Sequence, residues 1–494
     1  MKLRIETASG AIQGFEENGL CKYLGIPYAE KPVGPLRFKR CVPVKPWKGT
    51  LNACQYGKPA LQLGRNGAEG DEDCLTLNIV RPREGDNLPV FVWIHGGGFM
   101  TGSASDSLYS GESFARDGVV FVSIQYRLNV TGFFDFNTYA GCQDFETNRG
   151  LSDMATALQW IHANISAFGG DPNRVTIGGE SAGGVAVLML MATPSVRGCF
   201  QQVIAESALP NCVMTTQTAR QNMDLYIEGM GLCESDLPRL KTMPAAELLS
   251  GLTRVNHGHQ YKNPGIFLPG PVIDDLLPER PIDALRKGCA AGVRLIIGTN
   301  LHEGTMFVSP EHTNFPNCWE MIQEMFEKNG HAGDYERIRA YYSRRDFDRD
   351  FGSAFVHFAT DYAFEMPSVK IADAQRHFAP TWKYRFDFLT EGAKRSGMLV
   401  SHAFELPCVF DVPDHPFSHM FFEGESPETS RRIVDDLHKP WVNFIQTGEP
   451  LPGEWPCFAG YTGPVRIFDR RSRTEKMDHS ELMETWKDMR FYEN

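Results

Sequence analysis

Basic residues are in deficit: 49 Lys and Arg against 61 Asp and Glu give the 494-residue chain a formal charge of -12. Phosphate backbones are bound by clustered Lys and Arg, and no basic run of useful length occurs, so nucleic acid is excluded as a partner. Long apolar runs are missing as well. The longest, Val185 to Ala192, falls far short of the ~20 residues that a bilayer crossing requires. The N-terminus lacks the apolar core and small-residue cleavage site of a signal peptide; Met1 to Thr7 alternates apolar and polar residues and reads as a first strand. No membrane partner is expected, and the expected location is cytoplasmic. The 12 cysteines contain no CxxC pair or other ligand spacing, which implies no metal and leaves free, mostly buried thiols. Sequons at Asn129 and Asn164 then carry no meaning. Repeats, low-complexity tracts and Pro/Gly/Ser-rich linkers are also absent, so residues 1–494 read as one domain.

What is present is the composition of a globular protein with a large core, 42% hydrophobic and 22% charged. Apolar β-rich runs recur at Leu88 to His95, Val119 to Tyr126, Val175 to Gly178 and Arg294 to Gly298, with helical periodicity between several of them. This alternation predicts an α/β fold, a mostly parallel sheet with helices on both faces. Leu151, Met154, Ala155, Leu158, Ile161 and Ile165 mark an amphipathic helix over Gly150 to Ala167. The stretches Cys212 to Lys262 and Glu311 to Asp350 are more polar, helical in pattern, and read as insertions that roof a site.

Gly-Glu-Ser occurs at Ser113, Ser181 and Ser426, but only Ser181 has the second glycine of Gly-x-Ser-x-Gly, a β-branched strand before it and a helix after it. That strand-turn-helix context is a nucleophile elbow. Glycines flank such a serine because the turn is strained and a Cβ two residues away would clash. His95-Gly96-Gly97-Gly98-Phe99 directly follows a buried strand, and its glycines allow backbone N–H groups to face an oxyanion. Gly97 and Gly98, with Ala182 at the helix start, are the expected donors. A phosphate-binding loop is the competing reading, but neither GxGxxG nor GxxxxGK[ST] is present.

A serine needs a histidine to take its proton and an acid to orient the imidazole. Glu303 sits in a loop after the strand ending near Gly298 and precedes Gly304, whereas Asp274 and Asp275 lie in a Pro-flanked stretch without such a strand. Adjacent His302 points elsewhere. Nine of the 14 histidines follow Glu303. His402 best fits a loop after the late strand at Tyr384 to Phe388, while His415, His419 and His438 fit solvent-facing loops.

Together these segments resemble the type-B carboxylesterase and cholinesterase family of α/β hydrolases almost end to end. Leu24 to Ala29, Pro35 to Phe38 and Glu72 to Ile79 carry the likeness, followed by His95 to Phe99, Phe168 to Pro172, Gly179 to Gly183, Glu303-Gly304 and His402. The stretch His402 to Pro407 is similar to that of bacterial p-nitrobenzyl-esterase-type enzymes. The resemblance implies a Ser181–Glu303–His402 triad, an oxyanion hole of Gly97, Gly98 and Ala182, a supporting role for Ser207, and no cofactor. It implies hydrolysis of a small-molecule ester by water through an acylated Ser181. Two departures follow from it. Ala60 stands where secreted members carry the partner of Cys74, and Leu61 to Glu72 lacks the aromatic that binds choline esters. Alternatives are a non-catalytic adhesion module of the same fold and a lipase with an apolar lid. Phe99, Met100 and Met306 are candidate wall residues.

Overall fold

The computed structural model describes residues 3–256, 270–308, 315–344, 353–487 and 489. Its centre is an eleven-stranded sheet. In chain order the strands are β1 (Phe15–Glu17), β2 (Leu20–Pro27), β3 (Thr76–Pro82), β4 (Leu88–Ile94), β5 (Val120–Ile124), β6 (Gly170–Glu180), β7 (Gln202–Glu206), β8 (Arg294–Asn300), β9 (Thr381–Phe386), β10 (Pro464–Phe468) and β11 (Arg473–Lys476). Across the sheet they are ordered β11-β10-β9-β8-β7-β6-β4-β5-β3-β2-β1. Strands β4 to β10 run parallel. Antiparallel strands close both edges. The N-terminal alternation forms a strand, Arg4–Thr7, but in a separate small sheet.

The pleat sorts side chains cleanly between two cores. Val90, Val92, Ile94, Val120, Val122, Ile177, Val203 and Ile297 point to one face, against α1 (Arg149–Asn164), α2 (Ala182–Ala192) and α3 (Met366–Gln375). Phe91, Trp93, Phe121, Ile204, Ile296 and Tyr384 point to the other, against α4 (Pro427–Thr447). Strands buried on both faces are nearly continuous apolar runs, which is why β4 and β5 lack polar alternation; the one polar residue of β5, Ser123, donates to the Ala104 carbonyl at 2.9 Å.

The described part of the first insertion forms helices at Thr216–Met230, Glu234–Lys241, Ala245–Leu249 and Leu252–Asn256 and adds no strand to the sheet. Its Met223, Tyr226, Leu240 and Leu249 share a core with Phe134, Phe136 and Phe145. The second contributes helices Trp319–Lys328 and Tyr335–Arg344. The parts of these insertions at 257–262, 311–314 and 345–350 lie outside the described residues.

Several sequence expectations change. His438 is not a loop residue: it is buried in α4, between the Val409 carbonyl at 2.6 Å and Asp117 at 3.0 Å. A Pro/Asp/Ser-rich neighbourhood misled because the helix begins well before it, capped by Ser426. None of the 12 cysteines forms a disulfide; six are buried, four half-buried, and Cys233 and Cys457 exposed, so the thiols are less buried than expected. Asn129 and Asn164 are both buried, with Asn129 donating to the Leu61 carbonyl. Among the described residues no helix is long and apolar enough to cross a membrane.

Candidate active site

The carboxyl ends of β4, β6, β7 and β8 meet in register: Gly179 faces Ile94, Glu180 faces Glu206, and Glu206 faces Gly298. Gly97 and Gly98, Ser181, Ser207 and Glu303 each lie just beyond one of these ends, whereas His402 stands on a longer loop after β9. Four non-glycine residues here take positive φ, namely Phe99 at 57°, Ser181 at 58°, Ser207 at 47° and Ala403 at 66°. Such backbone costs of order 1–3 kcal/mol per residue and persists only where the surroundings impose it.

At Ser181 those surroundings are visible. Its N–H donates to the Glu206 carbonyl at 2.9 Å, and α2 starts at the next residue. A Cβ on Gly183 would lie 2.0 Å from the Ile94 carbonyl oxygen, a contact no side chain survives. The second glycine of the motif is therefore required by the approach of α2 to the end of β4. Ser113 and Ser426 have structural tasks: Ser113 donates to the Phe410 carbonyl at 2.6 Å, and Ser426 caps α4.

The loop after β4 abuts the elbow, with the Cβ position of Gly96 only 3.2 Å from the Ser181 Cβ. Gly97 has φ 102°, and its carbonyl accepts the amides of Met100 and Thr101, both at 3.0 Å. Gly98 has φ 63°. His95 anchors the loop and stays neutral, since burial lowers its pKa to about 4; its carbonyl accepts the Tyr126 hydroxyl at 2.7 Å. Phe99 is core, packed 4.4 Å from Phe133. Met306 is 49% exposed.

His402 and Glu303 meet: the imidazole Nδ1 lies 2.5 Å from Glu303 Oε2. The two loops are stitched together by the His302 amide, which donates to the Val400 carbonyl at 3.0 Å. Glu303 Oε1 accepts from the Ser207 hydroxyl and the Asn300 amide, each at 2.6 Å. Phe364 and Phe307 hold the ring on its sides, with centroids 5.1 and 5.2 Å away. Phe315, from the second insertion, stands 5.6 Å from Phe307. The outer nitrogen, Nε2, makes no hydrogen bond to Ser181; its nearest charged neighbour is Glu180, at ion-pair distance. The rival acids are elsewhere: Asp274 and Asp275 pair with Arg40 at 2.9 and 2.7 Å.

Three acids of this site were not singled out from the sequence. Glu180, beside Ser181, places Oε1 3.0 Å from His402 Nε2. Glu206, beside Ser207, accepts from the Trp441 indole at 2.8 Å. Glu405, three residues after His402, accepts from Asn300 Nδ2 at 2.6 Å. Each is adjacent or nearly so to a residue that was chosen, and that proximity was the available signal. All three are buried, as is Glu303. Burial opposes charge on the His402 ring, but Glu180 and Glu303 outweigh it and hold its pKa well above 6.5. A base must be deprotonated to act, so activity should rise with pH through that raised value. Glu180→Gln removes one of the two carboxylates responsible, and the acid limb of kcat/KM should move down by about one pH unit or more. An unmoved limb would refute that role.

Residues 2–486 match the model of the carboxylesterase family. The chain belongs to the carboxylesterase family. It is 34% identical to the para-nitrobenzyl esterase of Bacillus subtilis over 97% of both chains. It is 32% identical to the phenmedipham hydrolase of Pseudarthrobacter oxydans over 92% of both chains. Among solved structures, a PNB esterase superposes with TM-score 0.86 at 34% identity, covering 98% of this chain and 100% of that one. A Geobacillus stearothermophilus carboxylesterase gives TM-score 0.83 at 30% identity, covering 98% of this chain and 100% of that one. The fold is thus that of the α/β hydrolases, and this carboxylesterase is a carboxylic ester hydrolase. Among the described residues no group of three or more His, Cys, Asp or Glu is arranged to hold a metal.

Proposed function

We propose that the enzyme hydrolyses small carboxylic esters through an acyl-enzyme on Ser181, as one catalytic domain of 494 residues. Ser181 Oγ attacks the ester carbonyl carbon while His402 Nε2 takes its proton. The N–H groups of Gly97, Gly98 and Ala182 receive the oxyanion. The carbon–oxygen bond to the alcohol then breaks as His402 returns the proton to the leaving oxygen. Water, deprotonated by the same nitrogen, releases the acid and restores Ser181. Glu303 stays ionised and fixes the tautomer. Only these groups and water take part in the cycle.

The observation that carries this reading is His402 itself, with Nδ1 on Glu303 at 2.5 Å and Nε2 3.0 Å from Glu180, the last residue of the strand that leads into Ser181. An imidazole oriented by a carboxylate at Nδ1, with its other nitrogen at the strand end that carries the serine, is what general-base work requires. The name of the Bacillus subtilis relative makes p-nitrobenzyl esters the first substrates to try. Twelve cysteines without a disulfide fit a reducing, cytoplasmic location.

The reading is tested with a fluorophosphonate, which phosphonylates an activated serine. The parent should gain one adduct on the peptide that contains Ser181, and Ser181→Ala should gain none. Labelling that persists in Ser181→Ala would overturn the assignment.

A further inference from the structure

Four buried carboxyl groups adjoin one another here: Glu180 and Glu303 flank His402, Glu206 lies in register beside Glu180, and Glu405 meets Glu303 through Ser207. No Lys or Arg among the described residues pairs with any of them, and their only basic partner is the imidazole. One cation cannot neutralise four carboxylates in a water-poor interior, so some of these groups must carry a proton. The hydrogen bonds identify one that does.

Ser207 Oγ has a single hydrogen to give and three neighbours: Glu303 Oε1 at 2.6 Å, Glu405 Oε1 at 3.2 Å and Asn300 Nδ2 at 3.3 Å. The amide of Asn300 donates to Ser207, so that contact needs no serine hydrogen. Glu303 already accepts from the Asn300 backbone and faces His402 Nδ1, which makes it the ionised partner, and the short contact takes the serine hydrogen. The remaining contact, Ser207 to Glu405, is then a hydrogen bond only when Glu405 Oε1 carries the proton. Its other oxygen, Oε2, is occupied as an acceptor from Asn300 at 2.6 Å. We propose that Glu405 is a neutral carboxylic acid in the working enzyme, donating through Ser207 to Glu303 and so acting as a positioning residue for His402.

The chain of donation runs in one direction, Glu405 to Ser207 to Glu303, and ends on the carboxylate that holds the base. A donor at its start draws charge away from Glu303. An ionised Glu405 would add a further negative charge near His402, stabilising the imidazolium and spoiling the base. Groups on every side agree with this state. Glu180 from β6, Glu206 from β7, Glu303 after β8, Tyr384 from β9 and Cys408 beyond Glu405 itself are acids, and burial followed by Glu180 and Glu303 pushes the Glu405 carboxyl up to about 8. Glu206 is raised too, by burial and then by Glu405.

The proposal rests on the Ser181–His402–Glu303 reading for its consequence in catalysis, but one readout is independent of it. The infrared difference spectrum at pH 7 of the parent minus Glu405→Gln should contain a protonated carboxylic acid band. An ionised carboxylate band in its place would overturn the proposal whatever Ser181 does. In kinetics, Glu405→Gln supplies an N–H donor to Ser207 without a charge, so the acid limb of kcat/KM should stay within a few tenths of a pH unit of the parent. A downward shift of about one unit or more would show that a negative charge had been lost and would overturn the proposal. Glu405→Ala, which leaves Ser207 and Asn300 without this partner, should lower kcat by about tenfold, and Glu405→Gln should recover most of that loss. Equal losses in both variants would refute the donor role.

Discussion

Ser181→Ala should lower kcat for p-nitrophenyl acetate by about a millionfold, the scale of loss when an acylated serine is removed from its triad. The size of the effect follows from what remains. Water would have to attack the ester without a covalent intermediate, although the donors at Gly97, Gly98 and Ala182 would still polarise the carbonyl. Alanine keeps a Cβ at the strained φ of 58° and loses only one oxygen, so the fold should not change. Equal melting temperatures would establish that the loss is chemical. A variant retaining activity within about a hundredfold of the parent would place the nucleophile elsewhere, since no other part of the proposed cycle can substitute for Oγ.

The second large effect is Glu303→Gln, for which we expect kcat to fall by about ten-thousandfold, as when the orienting acid of a triad becomes an amide. Glu303 receives hydrogens on both oxygens: Oε1 accepts from Ser207 and the Asn300 amide, and Oε2 faces His402 Nδ1. Glutamine has only one acceptor oxygen. Kept on the Ser207 side, that oxygen leaves an NH2 group facing Nδ1, which then holds its lone pair there and puts the hydrogen on Nε2, where the serine proton must go. Rotated the other way, the amide confronts two donors and leaves them unsatisfied in a buried site. Either outcome removes the base. Because Glu180 lies 3.0 Å from Nε2, Glu180→Gln provides a contrast: it should shift the pH profile rather than abolish the rate. Comparable losses in the two variants would mean that Glu303 does not select the tautomer.

Much of the fold was legible because its strands are buried on both faces. Leu88 to Ile94 has no polar position and Val120 to Ile124 only Ser123, and such runs have few alternative placements. The helix over Gly150 to Ala167 was legible from its apolar stripe, although it begins at Arg149 and ends at Asn164, with a tighter turn following. Helix ends depend on capping and local turns more than on periodicity. His438 was misread for a related reason, as a helix starting at Pro427 turned an apparent loop residue inward.

In the site, Ser181 was readable because a strained turn constrains its neighbours chemically. Gly179 and Gly183 are required by the passage of the Ile94 carbonyl, and that requirement is local enough to leave a motif. The acids Glu180, Glu206 and Glu405 left none. A glutamate is ordinarily a surface residue, and only the convergence of β6, β7 and the loop after His402 makes these three internal.

The sequence by itself determined the alternation of strands and helices, the glycine-bracketed elbow at Ser181, the glycine loop after β4 and membership of the carboxylesterase family, because each is written in residues close together in the chain. The tertiary structure alone decided that the ring of His402, already chosen from the sequence, is held between Glu303 and Glu180, and that two further buried carboxyl groups adjoin these. Residues 180, 206, 303, 402 and 405 are joined by hydrogen bonds and charge across the sheet, and such contacts between distant segments leave no periodicity to read.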